Sequence, residues 1–239
     1  MDTRQKNDLG TKSISKLLFS MAIPAITAQI INVLYNMVDR MYIGHIPDVG
    51  ATALTAIGVT MPIIMVIAAF AALVSMGGAP RSSIMLGKGD KDTAEKIMGN
   101  CTTALVFISV TLTIVVIAFG RKMLMAFGAS ENTIGYALDY LNIYALGTIF
   151  VQLALGLNAF ITAQGFAKTS MLTVLIGAIL NIVLDPILIF GFNMGVKGAA
   201  LATVISQGVS ALWVMKFLTG HKTLLKIKKK YLKIDFRIL

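Results

Sequence analysis

MLTVLIGAILNIVLDPILIFG, residues 171–191, decides the fold. A helix needs about 20 mostly apolar residues to cross a bilayer core, and this stretch supplies them. It carries one acid, Asp185, followed at once by Pro186. A carboxylate at the bilayer centre costs roughly 2.5–3.5 kcal/mol on insertion scales, so such a residue faces a cavity or a partner. Asn181 lies four residues earlier, on the same face of a helix. Pro186 has no amide hydrogen and frees the carbonyl near Ile182. Irregular backbone at membrane depth is tolerated where it lines a cavity or is buried in protein. Acid, amide and freed carbonyl together read as an oxygen-rich pocket. The plainer reading is a kinked helix whose Asp185 bonds a neighbour for packing alone.

The rest of the chain is of the same kind. It has 239 residues, 56% hydrophobic and only 13% charged, against about 25% charged in soluble domains. The mean hydropathy is +0.81. Six spans are expected, at 17–43, 53–79, 100–120, 136–163, 170–192 and 198–219. The turns between them fall at 45–50, 81–96, 128–132, 165–170 and 193–197. The predicted fold class is all-α, a polytopic membrane bundle of six transmembrane helices. Three segments follow: 1–16 as a cytoplasmic N-terminal segment, 17–219 as the membrane bundle, and 220–239 as a basic interfacial segment.

Charge sets the expected orientation. Arg4, Lys6, Lys12, Lys16, Arg81, Lys88, Lys91, Lys96, Lys168 and the tail from Lys216 to Arg237 fall on one side. Arg121, Lys122 and Lys197 fall on the other. The positive-inside rule therefore puts both termini in the cytoplasm of a cell-membrane protein. The tail HKTLLKIKKKYLKIDFRIL (221–239) interleaves lysines with apolar residues. It is expected to form an amphipathic interfacial helix on anionic lipid, not a nucleic-acid arm. Its last apolar step predicts a further element after Leu239.

Polar residues recur inside other spans. Gln29, Asn32, Asn36 and Asp39 follow each other at intervals of three, four and three, which aligns them on one face. An interfacial anchor at Asp39, with Arg40 reaching the surface, explains the acid but not the three amides. The sixth span opens with Ala199 and Thr203 four apart. It runs back from the short turn after Asp185, so Asp185 and Thr203 fall at similar depth, and Asp39 lies in the same outer half. Oxygen donors on three helices at one level suit a hard cation such as Na⁺, and a buried carboxylate also carries protons. In the fourth span Tyr140, Tyr144 and Gln152 share a face, and Asn158 lies beyond. This face reads equally as a substrate path or as interhelical hydrogen bonding.

Other chemistry is not indicated. Cys101 has no partner for an internal disulfide, and His45 and His221 have no zinc-ligand spacing. MGGAP (76–80) and GKGD (87–90) lack the phosphate-loop pattern. No Ser/His/Asp or Cys/His set emerges, so neither an enzyme nor an organic cofactor is expected.

Four stretches carry a family resemblance: IPAITAQIINVLYNMVDRMYIGH (23–45), GGAPRSSIMLGKGDKDTAEKIMGN (77–100), NAFITAQGFAKTSMLTVLIGAILNIVLDPILIFG (158–191) and GVKGAALATVISQ (195–207). The chain resembles the N-terminal half of a multidrug and toxic-compound extrusion transporter. The resemblance implies one six-helix lobe of a twelve-helix, two-lobe protein, with the second lobe as its partner. It implies antiport of small organic cations against Na⁺ or H⁺. It also implies a coupling site at Asp39, Asn181, Asp185, Ala199 and Thr203, and a substrate cavity at Asn32, Asn36, Tyr140, Gln152 and Asn158. The competing readings are a lipid-linked saccharide flippase of the same superfamily and a half-size, non-transporting membrane interaction subunit.

Overall fold

A computed structural model describes residues 13–233 and 235. These residues form helices and no strand. The helices are α1 (Ile14–Gly44), α2 (Gly50–Gly87), α3 (Lys91–Ala126), α4 (Ile134–Leu146), α5 (Thr148–Ala163), α6 (Ala167–Pro186) and α7 (Val196–Thr219). Five elements are long and apolar enough to cross a membrane, and the bent pair α4–α5 supplies a sixth span. Short turns make successive spans antiparallel. The α2–α3 and α5–α6 turns and the residues after α7 share one lysine-rich end.

Apolar side chains face outward because lipid, not water, is the solvent. On α1 the most apolar window is only 6% buried. Ile23, Ile26, Ile30, Val33, Met37 and Met41 are exposed along it. The interior divides into two apolar clusters. One gathers Ile43, Ile57, Ile67, Leu124, Leu141 and Val196. The other, towards the lysine-rich end, gathers Ile97, Met98, Leu105, Phe160, Val214 and Leu218.

Three expectations change. The connection expected at 81–96 shrinks to residues 88–90, because α2 and α3 continue beyond the bilayer core. At 1.5 Å per residue α3 is about 54 Å long, against a core of about 30 Å. Gly89 takes a positive φ of 81° to make the turn. Asp90 caps α3 by accepting a hydrogen bond from Thr93 N at 3.0 Å. The Thr93 hydrogen bonds hold its carboxyl below the usual range.

The span expected at 136–163 is not straight. It bends by 57° between Leu146 and Thr148. The carbonyls freed at the break find donors: Thr113 Oγ1 bonds Ala145 O at 2.7 Å and Thr148 Oγ1 bonds Tyr144 O at 3.3 Å. Gly147 lets α7 pack into the bend, since a Cβ there would lie 2.4 Å from Val204 Cγ2. Gly147→Ala is therefore expected to cost about 1–3 kcal/mol by overpacking. Adding Val204→Ala recovers part of that loss, and thermal unfolding in detergent reads both effects.

The tail is not an amphipathic helix. Within the described residues it holds one 3₁₀ turn, Lys229–Tyr231. Its backbone donors go to buried side chains of distant helices instead of to carbonyls four residues back. Residues 1–12, 234 and 236–239 lie outside the described part, so most of the expected N-terminal segment and the end of the basic tail do as well.

Candidate functional site

Asp185 occupies the last turn of α6, and Pro186 ends the regular helix. The chain passes through a π turn, Ile187–Gly191, before doubling back. Proline removes one ladder donor, and the wider turn accommodates the loss. The N-terminus of α7 then lies directly against this turn. A Cβ on Gly198 would be 2.7 Å from Leu188 C. That close approach sets Ala199 and Thr203 opposite the end of α6.

The donor set forms across three helices. Asn181 Nδ2 donates to Asp185 Oδ1 at 3.3 Å and to Thr203 Oγ1 at 3.4 Å. Asp39 comes from α1, which packs chiefly on α6. Its carboxyl lies beside that of Asp185. Asp185 is 0% exposed and Asp39 8%. Ala199, one turn before Thr203, is also buried. Tyr35 and Tyr140 complete the surroundings.

Three buried oxygens here receive no hydrogen bond: Asp39 Oδ1, Asp185 Oδ2 and Asn181 Oδ1. Two adjacent carboxylates out of water repel each other, and orphaned buried acceptors are costly. A bound cation or a proton relieves both penalties. Among the described residues no group of three or more His, Cys, Asp or Glu is gathered anywhere. The set is two carboxylates, an amide and a hydroxyl, which is hard-oxygen chemistry and not transition-metal chemistry.

A cavity of about 620 Å³ opens beside this set, with Asn181 and Thr203 on its wall. That volume suits a small organic molecule. Asn32, Asn36 and Asn158 also line it. Asn158 Nδ2 donates to Ser170 O at 3.2 Å, linking α5 to α6.

Two expected lining residues lie elsewhere. Gln152 is buried between α5 and α2, donating through Nε2 to Ile67 O at 2.7 Å. Tyr140 stacks on Tyr144 at 6.2 Å between ring centroids and sits behind the wall. The bend at Gly147 accounts for Gln152, because α4 and α5 do not share one helical phase. Tyr144 reaches the wall instead, with Tyr35, Ser206, Gln207 and Ser210. The last three had a readable signal: 203, 206, 207 and 210 fall on one face of a helix.

Comparisons with known proteins establish the fold and the family. The multidrug export protein MepA of Staphylococcus haemolyticus is 30% identical over 221 residues, 92% of this chain and 48% of that protein. MepA of Staphylococcus aureus (strain NCTC 8325) is 29% identical over 231 residues, 95% of this chain and 50% of that protein. The chain thus spans about half the length of the curated relatives it matches. The crystal structure of MATE in complex with MaD3S superposes with a TM-score of 0.90 at 26% identity, covering 99% of this chain and 53% of that one. A MOP-superfamily transporter from Pyrococcus furiosus, described as having a binding pocket of reversed polarity, gives 0.89 at 26% identity, covering 100% and 52%. The MatE family model matches residues 24–187. This multi-pass membrane chain therefore belongs to the MatE family and corresponds to one half-size lobe of its transporters.

Proposed function

We propose that the chain is the coupling lobe of an antiporter that exports small organic cations from the cell against inward Na⁺ or H⁺. The observation that carries this reading is the pair of buried carboxylates, Asp39 and Asp185, with orphaned oxygens beside an uncharged, largely apolar cavity dotted with amides and hydroxyls. With both acids ionised, the cavity holds an organic cation by charge. When Na⁺ or a proton neutralises them, the attraction falls and the substrate leaves. The two ligands thus weaken each other, as coupling requires. Bending of α1 near Pro24 or Asp39 is the accompanying movement.

The cavity wall carries no Lys or Arg, so a lipid pyrophosphate finds no positive partner there. That favours cation export over lipid-linked saccharide flipping. The name of the MepA relatives, multidrug export protein, supports export of drugs. Transport requires a second six-helix lobe, in the same polypeptide or in a partner subunit, against which this lobe rocks. Both termini lie in the cytoplasm, with the lysine-rich end on the anionic leaflet.

The test is tetraphenylphosphonium binding to the purified chain. Raising Na⁺ or lowering pH is expected to weaken binding about tenfold, a change of about 1.4 kcal/mol. Affinity indifferent to both ions sinks the coupling reading. Lipid-precursor flipping without cation binding would select the flippase instead.

A further inference from the structure

We propose that residues 221–233 form a strap that clamps α3, α5 and α7 into one frame at the lysine-rich end, and that Gln164 is the positioning residue that seats it. Gln164 immediately follows α5 and is fully buried. Its Nε2 donates to Phe160 O at 3.0 Å, which turns Oε1 away from its own helix. That oxygen accepts from Thr223 Oγ1 at 2.8 Å and from Leu224 N and Leu225 N at 2.9 Å each. Two consecutive backbone amides and a hydroxyl converging on one buried oxygen make a seat, not an incidental contact.

Glu95 on α3 is the second anchor. Its side chain is 1% exposed and pairs with Lys228. It also accepts from Lys226 N at 3.2 Å. Tyr231 is the third. Its hydroxyl donates to Asp92, and the Lys230 ammonium lies 4.3 Å from its ring centroid. The strap lies close on α3 because residue 99 is glycine: a Cβ there would be 2.5 Å from Tyr231 O. Beyond it, Thr103 Oγ1 donates to Leu232 O at 2.7 Å. Ile227 N donates to Leu218 O at 3.1 Å and returns the strap to α7. Leu225 fills the apolar cluster beneath.

The clamp bears on the cavity through two helices. α5 presents Asn158 about a turn and a half before Gln164, and α7 presents Thr203, Ser206 and Ser210. Fixing the far ends of α5 and α7 fixes the spacing of these walls. Docking gives the buried Gln164 oxygen three donors and the Glu95 carboxylate a second lysine beside Lys91, so the docked form is the stable one.

Trypsin cleavage after Lys226, Lys228, Lys229 and Lys230, in the whole chain in mild detergent, reports docking. The Gln164→Leu and Lys228→Gln variants are each expected to be cut at least about tenfold faster than wild type, because cleavage follows the open population. They are also expected to bind tetraphenylphosphonium about threefold more weakly, because the cavity walls lose their fixed spacing. Lys228→Arg, which restores the ion pair, returns both readouts to wild type. Lys228 is a surface residue, so its variants carry the test if Gln164→Leu does not fold. Unchanged cleavage in the variants that fold overturns the strap. Faster cleavage with unchanged affinity overturns its positioning role. The affinity arm rests on the proposed cation export. If wild type binds no tetraphenylphosphonium, that reading fails while the cleavage arm still decides docking.

Discussion

Asp185→Asn is expected to abolish the competition between tetraphenylphosphonium and either Na⁺ or protons. Conditions that weaken binding about tenfold in wild type should change it by less than about twofold in the variant, a difference near 1 kcal/mol in linkage. Asparagine keeps the volume of Asp185 and fits beside Asn181. It removes the titrating group and half of the buried negative charge, and with them the site's reason to take up a cation. Asp39→Asn is expected to act in the same direction, because the two carboxyls lie side by side. Binding isotherms across Na⁺ concentration and pH, on wild type and both variants, measure this. Competition that survives in both variants removes the two acids from the coupling site.

Gly198→Ala is expected to produce a large packing loss from a single methyl. The added Cβ would meet Leu188 C at 2.7 Å, Leu188 O at 2.8 Å and Ile189 N at 2.9 Å. All three are backbone atoms of the π turn and cannot rotate away. Overpacking typically costs about 1–3 kcal/mol, and a backbone clash belongs at the upper end. The displaced α7 also carries Ala199 and Thr203 away from Asp185, so ion competition weakens together with the melting temperature. Gly77→Ala is the control. It lies on an exposed face of α2 with nothing within 4 Å of the added carbon. There the same substitution stabilises by roughly 0.4–1 kcal/mol through the unfolded state. Equal melting temperatures for the two variants would contradict the close contact between α7 and the π turn.

The parts legible in the sequence are those with a local physical signal. An acid inside an apolar span is expensive, so Asp39 and Asp185 announced themselves by cost. Helical spacing placed Asn181 beside Asp185, and antiparallel spans brought Thr203 to the same depth. The structure sets these four side chains together at the end of a cavity. The face shared by Tyr144 and Gln152 assumed one straight helix through Gly147, and Gln152 makes the interhelical hydrogen bond that is the other reading of that face. Val204, fifty-seven positions away, packs into that bend at Gly147, and no local pattern records the contact.

The tail failed for a related reason. Alternating lysines and apolar residues promise an amphipathic helix only if backbone donors stay within the segment. Here Gln164 and Glu95 take them, from 60 and 131 residues away in the chain. Neither residue stands out in sequence, since an amide after a helix and a glutamate near a helix start are ordinary. Their importance comes from burial, which only the packed structure supplies.

The most direct test of the coupling claim is to count what an organic cation displaces. Tetraphenylphosphonium is titrated into the chain in weakly buffered, Na⁺-free detergent with a pH electrode, and separately into chain equilibrated with radioactive sodium. The account predicts release of about one cation equivalent, proton or sodium, per molecule bound, and its loss in the Asp39→Asn/Asp185→Asn chain. Binding that displaces neither ion from wild type, or displacement that persists in the doubly substituted chain, would contradict it.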